Sequence, residues 1–178
     1  MKNQKIYQSI AVFVFAFFLI LGKPGEEVQA QSVDKETKKE ISPALVDEIK
    51  STLKAKENSW IFEKEHNSGD RSQTVWKRRN KQITVDITKH ETAAEAIEYF
   101  DFIGDSRYIA VHVPVKVEKG FADEAMLRIT NLHGGSTINF CFRQEKYTVS
   151  IWGKEKDARR FAAHVLAVIN AQKNSELF

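Results

Sequence analysis

Cysteine is nearly missing from this chain: Cys141 is the only one in 178 residues. No intramolecular disulfide can staple the fold, so its stability must come from packing alone. With no Cys-x-x-Cys, a thioredoxin-like role and a cysteine-based zinc site are both excluded. Net charge is also scarce, at +3 over the whole length, which is too little to argue a nucleic-acid binder. Walker loop, dinucleotide fingerprint, EF-hand loop and Gly-x-Ser-x-Gly elbow are all absent. The five histidines (His66, His90, His112, His133 and His164) are scattered and include no His-Glu-x-x-His helix. The sequence therefore names no cofactor and no metal. Long apolar runs are lacking too, since none reaches the roughly 20 residues that span a bilayer.

The longest such run, residues 10–21, is twelve residues of unbroken apolar character behind Lys2 and Lys5. Lys23, Pro24 and Gly25 follow it, and Val28-Gln29-Ala30 supplies small residues at a cut site. A basic start, a short apolar core and a small-residue junction describe a secretory signal peptide over residues 1–30. Cleavage near Ala30 and export, periplasmic or secreted, are expected. The alternative is an uncleaved inner-membrane anchor formed by residues 10–21. No cysteine follows the run, so a lipid anchor at the junction is excluded. Cleavage would remove Lys2, Lys5 and Lys23 from the 27 basic residues, and Glu26 and Glu27 from the 24 acidic ones, leaving +2.

Residues 31–42 are dense in Lys and Glu and almost free of large apolar side chains. Such a segment buries too little to offset its ordering entropy and is expected to be a disordered leader. Residues 43–173 make one α+β domain, of a size able to bury a real core, with 174–178 as a C-terminal tail. Ser42-Pro43 opens a helix with Leu45, Val46, Ile49 and Leu53 as a narrow apolar stripe, expected to lie on the surface. At Trp60 the period changes to two, which starts a strand, and residues 67–70 form a turn cluster. Residues 73–79 and 82–88 read as a hairpin about Asn80-Lys81, pairing Trp76 with Val85 and Thr74 with Ile87. Arg78 intrudes on the apolar face near the tip, where its stem can reach water.

Residues 91–103 return to helical spacing, with Ala93, Ala96, Ile97, Phe100 and Ile103 as the buried stripe and Gly104 as the stop. A strand over 107–113 ends at Pro114 or continues only as an edge. Ala125, Leu127 and Ile129 alternate along the next strand, and residues 131–135 form a turn. Residues 137–143 and 146–152 make a second hairpin about Gln144-Glu145, matching Phe142 with Tyr147, Phe140 with Val149 and Ile138 with Ile151. A helix over 155–172 carries Ala158, Phe161, Ala162, Val165 and Ile169 on its stripe, widened by Leu166 and Val168. Short loops between strands favour antiparallel pairing, so the expected fold is an antiparallel sheet of about six to seven strands packed with helices.

The stretch Gly120-Phe121-Ala122-Asp123-Glu124-Ala125, the hairpin opening on Phe140-Cys141-Phe142-Arg143 and the Ala-rich last helix resemble exported bacterial domains of the Mog1/PsbP-like kind. Ala122 stands where that turn has glycine, and Gln144-Glu145 where that hairpin has Lys-Gly. The resemblance implies an αβα sandwich with a non-enzymatic binding or assembly role, and it supplies no catalytic residues.

Chemistry is mostly sought in vain. Leu132-His133-Gly134-Gly135-Ser136 looks like an esterase oxyanion loop but has no nucleophile elbow to serve, so it reads as a glycine turn. Cys141 with Arg143 two residues on is a candidate thiolate, set against its reading as a small packing residue. Asp123-Glu124 would point to opposite faces once a strand has begun, which leaves one carboxylate for a turn. The basic run Lys77-Arg78-Arg79-Asn80-Lys81 suits phosphate, lipid or an acidic surface, or is simply a solvated hairpin tip.

These readings point to an exported, non-enzymatic binding or accessory domain whose partner is a protein or small molecule. A small hydrolase or thiol enzyme using Cys141 or His133 is the alternative, as is a peripheral membrane-surface protein. The candidate binding residues are Lys77, Arg79, Asn139, Arg143 and Trp152, on the polar faces of the two hairpins. The competing expectation is that helix 43–56 closes this face, with Leu45, Ile49 and Leu53 packed on Trp152.

Overall fold

The computed structural model describes residues 40–105, 115–132 and 135–176. The expected signal peptide, the leader up to residue 39, the strand over 107–113 and His133 lie outside them. In chain order the elements are α1 (Pro43–Lys56), β1 (Ile61–Ser68), β2 (Arg71–Arg78), β3 (Lys81–Lys89), α2 (Ala93–Gly104), β4 (Val115–Val117), β5 (Glu124–Leu132), β6 (Gly135–Gln144), β7 (Tyr147–Gly153) and α3 (Glu155–Glu176). The strands form one seven-stranded sheet in the order β1-β2-β3-β7-β6-β5-β4, antiparallel throughout. The expected α+β architecture holds. α3 continues to Glu176, through residues assigned to the tail, and the three-residue β4 stands at the edge of the sheet.

Both long hairpins form, but each turn sits one residue from its expected place. Arg78 pairs with Lys81, which leaves Arg79-Asn80 as the turn, and Gln144 pairs with Tyr147, which leaves Glu145-Lys146. The first residue of each turn takes a positive φ, 54° at Arg79 and 52° at Glu145, as tight hairpin turns require. Moving a turn by one residue moves the pairing by two. Trp76 therefore faces Ile83, Thr74 faces Val85, Phe142 faces Val149 and Phe140 faces Ile151. Because side chains alternate with a period of two, this shift leaves every residue on its expected face. Residues 131, 132 and 135 belong to β5 and β6 instead of a turn, since that ladder runs on to the Leu132–Gly135 pair.

One face of the sheet carries the main core. Trp76, Ile83, Val85, Phe140, Phe142, Val149 and Ile151 are buried there with Phe161 and Val165 of α3. Phe161 meets Trp60 and Trp76 edge to face, at ring-centre distances of 5.4 and 6.0 Å. α1 is not a surface accessory: Leu45, Ile49 and Leu53 are fully buried in this same core beside α3. A narrow stripe suffices because α3 stands next to it and closes its flank. The Ile41 side chain is buried too, and its N–H donates to the Gly69 carbonyl at 3.0 Å, so order begins before the assigned end of the leader at 42.

The other face carries α2, giving three layers. α2 buries less than its pattern promised. Ala96 and Phe100 are buried, Phe100 with Met126 and Cys141, while Ala93 and Ile97 are exposed. The reason is the surface beneath it, which is largely polar and offers an apolar floor only at one end.

Candidate functional site

The second sheet face is built by alternation. Asp86 lies between Val85 and Ile87, Asn139 between Ile138 and Phe140, and Arg128 between Leu127 and Ile129. Val85, Ile87, Ile138, Phe140 and Leu127 turn to the main core, while Ile129 lies on the same side but is exposed, so each polar residue must turn away from that core. The ladders then bring these positions together. Asn139 stands opposite Arg128 on β5 and opposite Trp152 on β7, and Asp86 stands opposite Ser150. α2 lies over them, and the space left beneath it is a cavity of about 160 Å³ whose walls include Arg71, Asp86, Tyr99, Arg128, Asn139 and Trp152.

Its charges are unevenly matched. The Arg71 guanidinium clasps the Asp86 carboxylate, with Nε donating at 2.7 Å and Nη2 donating to the second oxygen. Gln73 adds a longer donation to Asp86 at 3.3 Å. Arg128 is only 9% exposed, and its Nη1 donates to the Ile103 carbonyl, at the end of α2, at 2.8 Å. Its Nε has no partner among the described residues, and neither does Oδ1 of Asn139, a residue just 3% exposed. Two buried polar atoms held back from hydrogen bonding, on opposed residues in one cavity wall, are costly, at about 1–3 kcal/mol each. Tyr99 stands at the exposed rim, where burial of its ring raises the phenol pKa, and it packs on His90 at 5.1 Å. His90 Nε2 in turn lies 3.0 Å from the Thr148 hydroxyl on the cavity floor.

Of the five residues singled out from the sequence, this cavity joins Asn139 and Trp152. Trp152 is partly buried and also borders a second, more open cleft of about 350 Å³ at the end of β7. Arg143 is elsewhere, four residues along β6 and so about 13 Å from Asn139. Its guanidinium is committed to Glu124 at 2.8 Å and Asp123 at 3.0 Å. Both carboxylates reach it because Asp123 precedes β5, and Asp123 also accepts the Glu145 N–H of the hairpin turn at 2.7 Å. Lys77 pairs with Glu63 on the outer strand β1, and Arg79 occupies the β2–β3 turn. Helix α1, expected as a cover for Trp152, packs on the opposite face.

The basic hairpin tip is largely spent on the protein itself. Arg78 does not simply reach for water. Its guanidinium lies over the Trp60 ring at 4.6 Å and meets the buried Asp157 carboxylate at 3.1 Å, which Lys81 and Arg160 also approach. Arg160 and His164 share Glu57 at 3.0 and 3.3 Å.

Cys141 is sealed beneath α2. Burial pushes its thiol up to about 11, against a weaker pull from the Ser150 hydroxyl 3.4 Å away. At neutral pH it is a protonated packing residue beside Phe100 and Met126, and not the thiolate that a cysteine enzyme needs. Among the described residues no group of three or more His, Cys, Asp or Glu side chains converges to hold a metal. No described helix is long and apolar enough to cross a membrane.

Arg71, Asp86 and Arg128 were missed in the sequence. For Asp86 and Arg128 the available signal was a lone charged residue flanked by apolar ones inside a strand, whereas Arg71, between Asp70 and Ser72 at the start of β2, carried none. No family model, curated protein or solved structure matches this chain.

Proposed function

We propose that this protein is a non-enzymatic binding domain and that the cavity beneath α2 receives a small polar solute. The observation that carries this reading is that two residues lining that cavity, Arg128 and Asn139, each bury a polar atom, Nε and Oδ1, without a partner among the described residues. Of the four buried side-chain atoms without a partner among the described residues, these two belong to residues that line one cavity, where an entering molecule can complete them, whereas Trp60 Nε1 and Ser72 Oγ belong to residues outside it. The volume suits an occupant of a few heavy atoms, and Trp152 offers an amphipathic wall of the kind that anchors ligands. The signal-like residues 1–30 support an exported location for this activity. The likeness of residues 120–125 and 140–143 to Mog1/PsbP-like domains supports a binding role over catalysis. A membrane-surface role draws less support, because Lys77, Arg78 and Lys81 are paired with Glu63 and Asp157.

The test is Trp152→Ala together with a screen of small solutes by intrinsic fluorescence and thermal shift. A solute should bind the parent chain and lose its binding in the variant, whose thermal midpoint stays close to the parent's. Binding unchanged in the variant, or no binding by any solute, would remove the site. N-terminal sequencing of the exported protein should begin at Gln31 or within a few residues of it. Intact Met1 in the membrane fraction would favour the anchor.

A further inference from the structure

Resting on the reading of this cavity as a binding site, the geometry points to its ligand class: a small organic monocarboxylate that also carries a hydrogen-bond donor. Among the described residues that line the cavity, two cations, Arg71 and Arg128, face one anion, Asp86. Asp86 is neutralised by Arg71, whereas Arg128 is buried with a backbone carbonyl as its hydrogen-bonded partner among the described residues. An uncompensated buried guanidinium is unfavourable, and an entering anion supplies the missing counter-charge in a place of low dielectric. Arg128 Nε is the donor not yet used, and a carboxylate oxygen is its natural acceptor.

Asn139 narrows the class. Its Oδ1 has no donor, so the ligand must bring an O–H or N–H within reach of the same wall. Asn139 and Arg128 are cross-strand partners, whose side chains stand about 5 Å apart at Cβ. A carboxylate and a hydroxyl or amino group on adjacent carbons span that separation. Both unpartnered atoms are closed to bulk water, so entry requires the Asn139 amide and the Arg128 head to turn into the cavity beside them. For the Asn139 amide that is a rotation about a soft terminal torsion, and for Arg128 a change among the staggered rotamers of its long stem. Ile103 and Trp152 complete the wall with apolar surface, which favours an organic anion over an inorganic one. The rim residues Arg71 and Tyr99 mark the way in from solvent.

The test uses the whole chain and four probes of similar size: glycolate, acetate, glycolamide and inorganic phosphate. Binding is followed through the Trp152 indole N–H signal in NMR spectra. Glycolate should bind about tenfold or more tightly than glycolamide, which keeps the hydroxyl but loses the charge. Acetate, without a donor, should fall between them, and phosphate should bind weakly. Arg128→Gln should remove the preference of glycolate over glycolamide, and Asn139→Leu should remove that of glycolate over acetate. Arg128→Lys, which keeps the charge, serves if the Gln variant does not fold, and it should retain the preference for an anion. Equal binding of glycolate and glycolamide, or binding led by phosphate, overturns the carboxylate assignment while leaving a binding site in place. Failure of all four probes, with no other solute displacing the Trp152 signal, means the cavity holds only water and the site itself falls.

Discussion

The two faces of one sheet have opposite characters here. Among the described residues, the core beneath α1 and α3 buries five aromatic and eighteen aliphatic side chains, with Trp76 Nε1 bonded to Thr74 at 3.1 Å and Trp60 Nε1 left without a partner. Beneath α2 lie Asp86, Arg128, Asn139 and Thr148, around a space that the protein leaves unfilled. The first face is where the stability of a disulfide-free domain is made, because burial of apolar area is the largest favourable term in folding. The second gives up stability, since it buries a guanidinium, a carboxylate and an amide where the first buries apolar side chains, and an atom of Arg128 and one of Asn139 have no partner among the described residues. Apolar side chains on this face would bury more area than the polar ones it carries, and that difference is the ground on which the binding site is proposed there.

The sharpest way to break the comparison is Phe161→Ala. Phe161 is fully buried between Trp60 and Trp76, so the loss should be about 3–5 kcal/mol in denaturant unfolding. A loss under about 1 kcal/mol, typical of surface changes, would mean that α3 does not dock on the apolar face. Next comes Asp157→Asn, which strips Arg78, Lys81 and Arg160 of a shared buried carboxylate at the start of α3. About 2 kcal/mol should be lost, less than for a wholly enclosed pair because the cations remain half in water. If that variant is as stable as the parent, this network is decoration.

Asn139→Leu sharpens the contrast in the other direction. Replacing an unsatisfied buried amide by an aliphatic group, next to a cavity with room for it, should be neutral or stabilising by up to about 1 kcal/mol. A loss above about 2 kcal/mol, in the range of a forfeited buried hydrogen bond, would show that Asn139 is a structural member of the face. The smallest effect expected is on acid stability. Arg159 holds the Glu118 carboxyl down to about 2 from 4.5, by hydrogen bonds at 2.8 and 3.2 Å. A depressed carboxyl contributes stability that is fully present above its unfolded value near 4.5 and is lost as the pH falls through about 2. For a pair at the edge of solvent, the contribution is about 1 kcal/mol or less. Glu118→Gln should therefore flatten the stability profile between those limits and leave it unchanged at pH 7 apart from that small offset.

How far the faces could be read from the sequence follows from local geometry. Alternation at residues 82–88, 137–143 and 146–152 assigned each side chain to a side, and a two-residue change of register could not undo it. The turns themselves were harder. Neither Arg79-Asn80 nor Glu145-Lys146 carries a glycine to announce the positive φ that both adopt. α1 was placed on the surface because a stripe of four residues does not say whether a second helix stands beside it.

What the sequence determined by itself is therefore the fold class and the two-sidedness of each strand, both set by periodicities of two and 3.6 along the chain. Which polar residues meet was decided only by the tertiary structure. Arg71, Asp86, Arg128, Asn139 and Trp152 come from five different strands, and β3 neighbours β7 across a long excursion of the chain. No spacing in the sequence encodes that pairing. Arg143 and Asn139 share a strand face, yet their separation along β6 puts one in a surface ion pair and the other in the cavity wall. A strand's pattern fixes direction, and only strand order and register fix distance.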